Sequence, residues 1–234
     1  MGDLTPVLGI VCGMQSERRA LGRWGRDPRV RVAVCGASPE RAEAQARRLV
    51  AEGCRALLSW GVAGGLDPAL VPGDLVIPAD AVARDGRSWA LSAAFREAAA
   101  AGVPSRAGGR FLGCDRMVLT AAEKAALHEM TTAIAVDLET QRVALVATEA
   151  GLPVLAIRAI GDPADRTLPE LVTRALGADG RPRFGPVIAG LLRRPGDLRA
   201  LLRVKRDTDA ALATLAGIAD GAISAILDGL QGGS

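Results

Sequence analysis

Short runs of aliphatic and β-branched residues alternate with longer Ala-rich stretches along this chain, and that alternation predicts an α/β fold around a largely parallel or mixed sheet. The predicted strands are Val7 to Cys12, Val30 to Cys35, Ala56 to Trp60, Asp74 to Ile77, Arg110 to Cys114, Ile134 to Asp137 and Pro153 to Ile160. Between the second and third, Ser38 offers a cap oxygen and Pro39 suits the first helical position, so Glu40 to Ala51 reads as a helix. Two more helices are predicted from Ala121 to Met130 and from Glu139 to Ala150.

The texture changes after Asp165. Arg166 to Arg183 is loop-like, broken by Gly177, Asp179-Gly180 and Pro182. Phe184, Val187, Ile188, Leu191 and Leu192 then fall at helical spacing, and Leu198, Leu201 and Leu202 repeat it beyond Pro195-Gly196, which predicts two short amphipathic helices. A final helix, Asp209 to Leu230, sets Leu212, Leu215, Ala219, Ile223, Ile226 and Leu230 on one side.

With 234 residues and 49% of them hydrophobic, the chain supports one ample core, so residues 1–234 are expected to form a single domain. Four scattered cysteines without a CxxC pair and a single histidine, His128, argue against a zinc site, and reduced thiols suit the cytoplasm. No basic-then-apolar leader opens the chain, and no uninterrupted apolar run reaches the roughly 18 residues of a membrane span, so a cytoplasmic protein is expected. The net charge of +3 is too small to imply nucleic acid. Its distribution says more: Arg181 to Arg206 holds Arg181, Arg183, Arg193, Arg194, Arg199, Arg203, Lys205 and Arg206 against Asp197, a local +7 that leaves the rest at −4. A basic amphipathic segment of this kind either lies on an anionic bilayer or docks its leucines on the protein itself.

Three segments carry candidate chemistry. Gly9 to Glu17 runs a strand into a glycine turn with a carboxylate at a helix start; Ser59 to Leu66 holds Gly61-Val62-Ala63-Gly64-Gly65 and is followed by Gly73-Asp74; Val136-Asp137-Leu138-Glu139 precedes Arg158-Ala-Ile160-Gly161-Asp162-Pro163-Ala164-Asp165. In each, a strand ends at glycine or an acid, which is where open α/β sheets bind ligands. Singly these features are ordinary: a Gly-Gly pair makes a tight turn, and Glu17 suits the first turn of any helix.

Their order resembles the purine and uridine phosphorylase superfamily, and within it the methylthioadenosine/S-adenosylhomocysteine nucleosidases, whose GxMxxE, (S/T)GxAGG, V(E/D)ME and RxISDxAD segments match Leu8 to Asp165. The departures are Val62 at a hydroxyl position, Leu138 for methionine and Gly161 for serine. The resemblance implies a three-layer α/β/α domain around a central mixed, partly barrel-like sheet. It also implies Asp162 as general acid to the departing purine, Glu139 on the ribose hydroxyls and Glu17 on the attacking water. Val62, Ala63, Gly64, Leu138, Arg158 and Met117 complete the implied nucleoside pocket, with Met117 or Trp89 under the base. The nucleophile stays open between water and inorganic phosphate; Ser38 and Arg41, at a helix amino terminus, are the phosphate candidates, although a helix cap explains Ser38 equally well. No other cofactor and no metal are implied, and a homodimer or larger assembly is.

The LLRRPG turn at Leu191 to Gly196, the Trp60 to Gly65 loop and Asp137-Leu138-Glu139-Thr140 resemble the hopanoid-associated phosphorylases. These imply adenosylhopane, a lipid-linked nucleoside, as substrate and a peripheral place on the inner membrane face. The alternatives are a soluble methylthioadenosine nucleosidase or purine phosphorylase, and a nucleoside-binding relative without turnover.

Overall fold

The structure is a computed structural model describing residues 7–101, 103–174, 179–181 and 197–232. The expected Phe184 to Leu192 helix and Arg183, Arg193 and Arg194 lie outside the described residues. Three layers are present. The middle one is a mixed sheet of ten strands, in which β1 (Leu8–Cys12) lies between β2 (Val30–Val34) and the first half of β3 (Ala56–Gly65), all parallel. On its other edge β3 pairs along most of its length with parallel β10 (Val154–Asp162), which is followed by antiparallel β4 (Leu75–Ile77). Short strands β5 (Asp80–Ala83), β6 (Ser88–Ala90) and β7 (Arg106–Ala107) extend the sheet, together with β8 (Arg110–Gly113) and β9 (Ala133–Asp137).

The sequence explains these placements. β1 and β10 are near-continuous apolar runs, buried on both faces as central parallel strands require. One face is covered by α2 (Pro39–Ala51) and α5 (Thr140–Glu149), which bury Ala42, Ala46, Leu49, Val143, Ala144 and Ala147 together. On the other lie α1 (Gln15–Ala20), α3 (Ala93–Ala100) and α6 (Leu198–Gly232), packed through Phe95, Leu215, Ile223 and Ile226. A further helix, α4 (Ala121–Thr131), starts at Thr120, whose hydroxyl accepts from the Glu123 N–H, and rests Leu127 on β8 and β9.

Two predictions are corrected. The expected short helix at Leu198 to Leu202 and the final helix are one helix of 35 residues, because no proline or glycine separates them. Among the described residues α6 alone is long and apolar enough to cross a membrane, yet Ala211, Leu215, Ala219, Ile223 and Ile226 are buried in the core. Gly61 to Gly65 is the second half of β3 and not a turn, because Arg158 to Ile160 and then Asp162 pair with it from β10.

Candidate active site

The long strand β3 changes partners partway along. Leu57 to Ser59 lie beside β1 on one edge, Gly64 and Gly65 lie beside β9 on that same edge, and the stretch between them faces the carboxyl end of β1. Glu17, from the first turn of α1, fills this gap: its Oε1 accepts from the Val62 N–H and its Oε2 from the Met14 N–H, each at 2.8 Å. Gly61 permits the approach, since a Cβ there would stand 2.5 Å from the Glu17 carboxyl and 2.7 Å from Arg158 Nη1. Burial raises the Glu17 pKa, opposed by the Arg158 charge and by the backbone N–H groups of Val62, Met14 and Gly13.

Below the floor lies Arg158, fully buried on β10. Its Nη2 donates to Ser59 Oγ at 2.6 Å and meets Asp137 Oδ2 at 2.5 Å and Glu139 Oε2 at 3.4 Å. Among the described residues one cation thus faces the carboxylates of Glu17, Asp137 and Glu139, too few to neutralise all three. Burial pushes Glu139 up to about 8, helped by Asp137 and Glu17 and opposed by Arg158 and the Leu138 N–H. Asp137 also accepts from the Thr140 N–H at 3.0 Å and so ties α5 to β9.

Asp162 arrives by a bulge. Ile160 pairs with Ala63 but Asp162 pairs with Gly64, so Gly161 is an extra residue that breaks the inward-outward alternation. Ile160 therefore stays in the core and Asp162 turns to the cavity. Its Oδ2 accepts from Lys124 Nζ at 2.5 Å, while its Oδ1 is buried without a partner. Burial raises the Asp162 pKa and the Lys124 ammonium opposes that rise. The two departures at Val62 and Gly161 touch: a Cβ on residue 161 would stand 2.5 Å from Val62 Cγ1. Valine has taken the space that a serine side chain would need.

These groups surround a cavity of about 250 Å³. Of the predicted site residues, Glu17, Val62, Ala63, Gly64, Met117, Leu138, Glu139 and Asp162 line it, and Arg158 supports it from beneath. Ser38 and Arg41 do not line it. The Ser38 hydroxyl caps α2 by accepting from the Arg41 N–H, and the Arg41 guanidinium donates to the Cys35 and Gly36 carbonyls at 2.6 and 2.9 Å. Trp89 lies on β6 beside Arg87 and lines a separate polar cleft, so it does not underlie a base in this cavity. Sequence reasoning missed Lys124, and it missed Leu168, Val172, Val204 and Thr208, which wall the cavity from the segment after Asp165 and from α6.

Acidic groups gathered where parallel strands end, at a point where a long strand changes partners, define an α/β protein with a small-molecule site. The chain belongs to the phosphorylase superfamily, whose family model matches residues 12–91 and 87–193. It is thereby an enzyme of the N-glycosyl hydrolase and phosphorylase kind. No curated protein matches it by sequence. Its fold is shared with a 5′-methylthioadenosine/S-adenosylhomocysteine nucleosidase from Helicobacter pylori, at 16% identity and TM-score 0.72 over 94% of this chain and 98% of that one. The futalosine hydrolase of the same organism aligns at 18% identity and TM-score 0.72, covering 94% and 98%. A Neisseria meningitidis nucleosidase bound to methylthio-immucillin-A aligns at 18% and 0.71, covering 93% and 98%.

Proposed function

We propose that this enzyme cleaves the N-glycosidic bond of a purine nucleoside and releases adenine, with water as nucleophile. The observation that carries the reading is the convergence of Glu17, Glu139 and Asp162, from three separate segments, on one otherwise largely apolar cavity. Breaking the bond builds positive charge on the ribose and negative charge on the base. A proton from Asp162 lets the base leave neutral, Glu139 accepts from the ribose hydroxyls, and Glu17 takes a proton from water as it attacks. Water is favoured over phosphate by the charges: among the described lining residues the one basic side chain is Arg116, and it pairs with Glu123 at 2.5 Å.

The walls point to the rest of the substrate. Leu168, Val172 and Val204 add apolar surface to the cavity wall, so a substrate with a large apolar 5′ group is favoured, and adenosylhopane is the substrate proposed. Methylthioadenosine is the alternative. Purified protein incubated with each nucleoside, with and without phosphate, is expected to release adenine from adenosylhopane at a kcat/KM at least tenfold above that for methylthioadenosine, about 1.4 kcal/mol in transition-state binding. Phosphate should change nothing, and ribosylhopane should accumulate. Brisk release from methylthioadenosine alone would make this a soluble-nucleoside enzyme, and no release from either would remove the reading.

A lipid substrate also needs access. At the start of α6, Leu198 and Leu202 are 49% and 58% exposed and stand among exposed Arg199, Arg203, Lys205 and Arg206, within about three turns of cavity-lining Val204 and Thr208. Such a surface suits an anionic bilayer. Wild-type protein is expected to sediment with anionic vesicles at about 0.1 M salt and to release near 1 M, where the Debye length falls from about 10 to about 3 Å. Replacing Leu198 and Leu202 by Ser and Arg199 and Arg203 by Gln should abolish sedimentation; unchanged sedimentation would make the face structural.

A further inference from the structure

Lys124 belongs to none of the motifs. It stands on α4, fully buried, in a chain whose 29 basic side chains include only two lysines. Its ammonium donates to Asp162 Oδ2 at 2.5 Å, to the Pro163 carbonyl at 2.8 Å and to the Arg166 carbonyl at 3.0 Å. These three bonds use all three N–H groups in a compact fan, a geometry that the planar fork of arginine does not reproduce. Burying a cation is costly, and a neutral side chain could fill the same space without that cost. The lysine also engages just one oxygen of Asp162 and leaves Oδ1, on a residue that lines the cavity, unpartnered.

We infer that Lys124 is the positioning residue of the acid: it selects Oδ1 of Asp162 as the oxygen that carries the proton, and it holds the carboxylate that remains once the proton has gone. This rests on the adenine-releasing function proposed above. With an ammonium against Oδ2, a proton can reside only on Oδ1. As the glycosidic bond breaks, its electron pair goes to the base, the Oδ1 proton moves to a purine ring nitrogen, and Asp162 becomes a carboxylate paired with Lys124. The attraction is therefore stronger after proton transfer than before it, and interactions that strengthen along the reaction lower its barrier. Water gives its oxygen to the sugar and a proton to Glu17, and solvent exchange returns a proton to Asp162.

The test is the pH profile of kcat/KM, whose high-pH limb reports loss of the acid's proton. The charged groups facing Asp162 are Lys124 from α4 and Arg166 and Asp165 from its own loop, and Arg166 is itself paired with Asp207 of α6. Lys124→Met removes the contacting cation, so the limb is expected to move up by about one to three units and kcat at pH 7 to fall about a hundredfold. Lys124→Arg keeps the charge and should leave the limb within about half a unit while kcat still falls, since orientation is disturbed. If Lys124→Met does not fold, Lys124→Gln, which retains two N–H donors without the charge, is read in its place. A limb that stays where wild type has it in the uncharged variant, with Asp162→Asn still inactive, overturns the role of Lys124 alone. An Asp162→Asn variant as active as wild type overturns the function itself.

Discussion

Asp162→Asn is expected to slow adenine release by roughly 10² to 10⁴-fold at pH 7, because the amide occupies the same space but has no acidic proton to give the leaving base. Above the pH at which Asp162 of the free enzyme ionises, the same change also strands a buried cation, since Lys124 loses this carboxylate contact while its ammonium stays out of water. Leaving one member of a buried pair alone costs about 3–5 kcal/mol, so at that pH the variant should also melt well below wild type. Activity and folding must therefore be separated. Adding Lys124→Met to Asp162→Asn removes the stranded charge and is expected to restore most of the lost stability, measured by chemical denaturation, while adenine release remains at the level of the single variant. Because the two residues touch, their stability effects should be strongly non-additive. Recovery of activity in the double variant would show that Asp162 is not the acid.

The layers of this fold are legible in the chain because they depend on local pattern. β1, β2 and β10 read as apolar runs, and α2 announces itself through Ser38, Pro39 and the spacing of Ala42, Ala46 and Leu49. What escaped depends on contacts between distant segments. Gly61 to Gly65 looks like a turn because glycine is the usual residue there, but its backbone is held extended by β10 and by Glu17. The short strands β5, β6 and β7 span only two to four residues each, too short for alternation to register. The same division runs through the site. Glu17, Glu139 and Asp162 stand in recognisable strand-end segments, whereas Lys124 is separated from Asp162 by 38 positions and sits in an ordinary Ala-rich helix. Its one sequence signal is compositional, lysine being used twice against 27 arginines, and that signal does not single it out, because the other lysine, Lys205, is exposed on α6. Val62 and Gly161 likewise look like two separate departures until β3 and β10 are paired, when they become one exchange of volume.

Glu139→Gln is expected to stabilise the free protein at pH 8 while weakening catalysis, a trade built into the excess of acids around Arg158. In the unfolded chain this glutamate titrates near pH 4.3. In the folded protein, burial and the neighbouring Asp137 and Glu17 carboxylates hold its proton up to about pH 8. Between those values the native state keeps a proton that the unfolded state has released, so the contribution is full below the lower value and is lost as pH rises through the upper one. At about 1.4 kcal/mol per unit the loss amounts to about 5 kcal/mol, and the raised pKa of Glu17 adds to it with the same sign. Denaturation midpoints of wild type should accordingly fall from pH 5 to pH 8. The glutamine variant has no proton to lose at this position, so its decline should be shallower and its midpoint at pH 8 higher than that of wild type. A parallel decline in the two proteins would show that Glu139 is already ionised at neutral pH. The variant should also lose about 10- to 100-fold in kcat/KM, the worth of exchanging a charged for a neutral hydrogen-bond acceptor toward the ribose hydroxyls. Here a group that weakens the fold is one the reaction uses: ribose hydroxyls donating to Glu139 favour its ionised form, so the substrate offsets the burial that holds the proton on it.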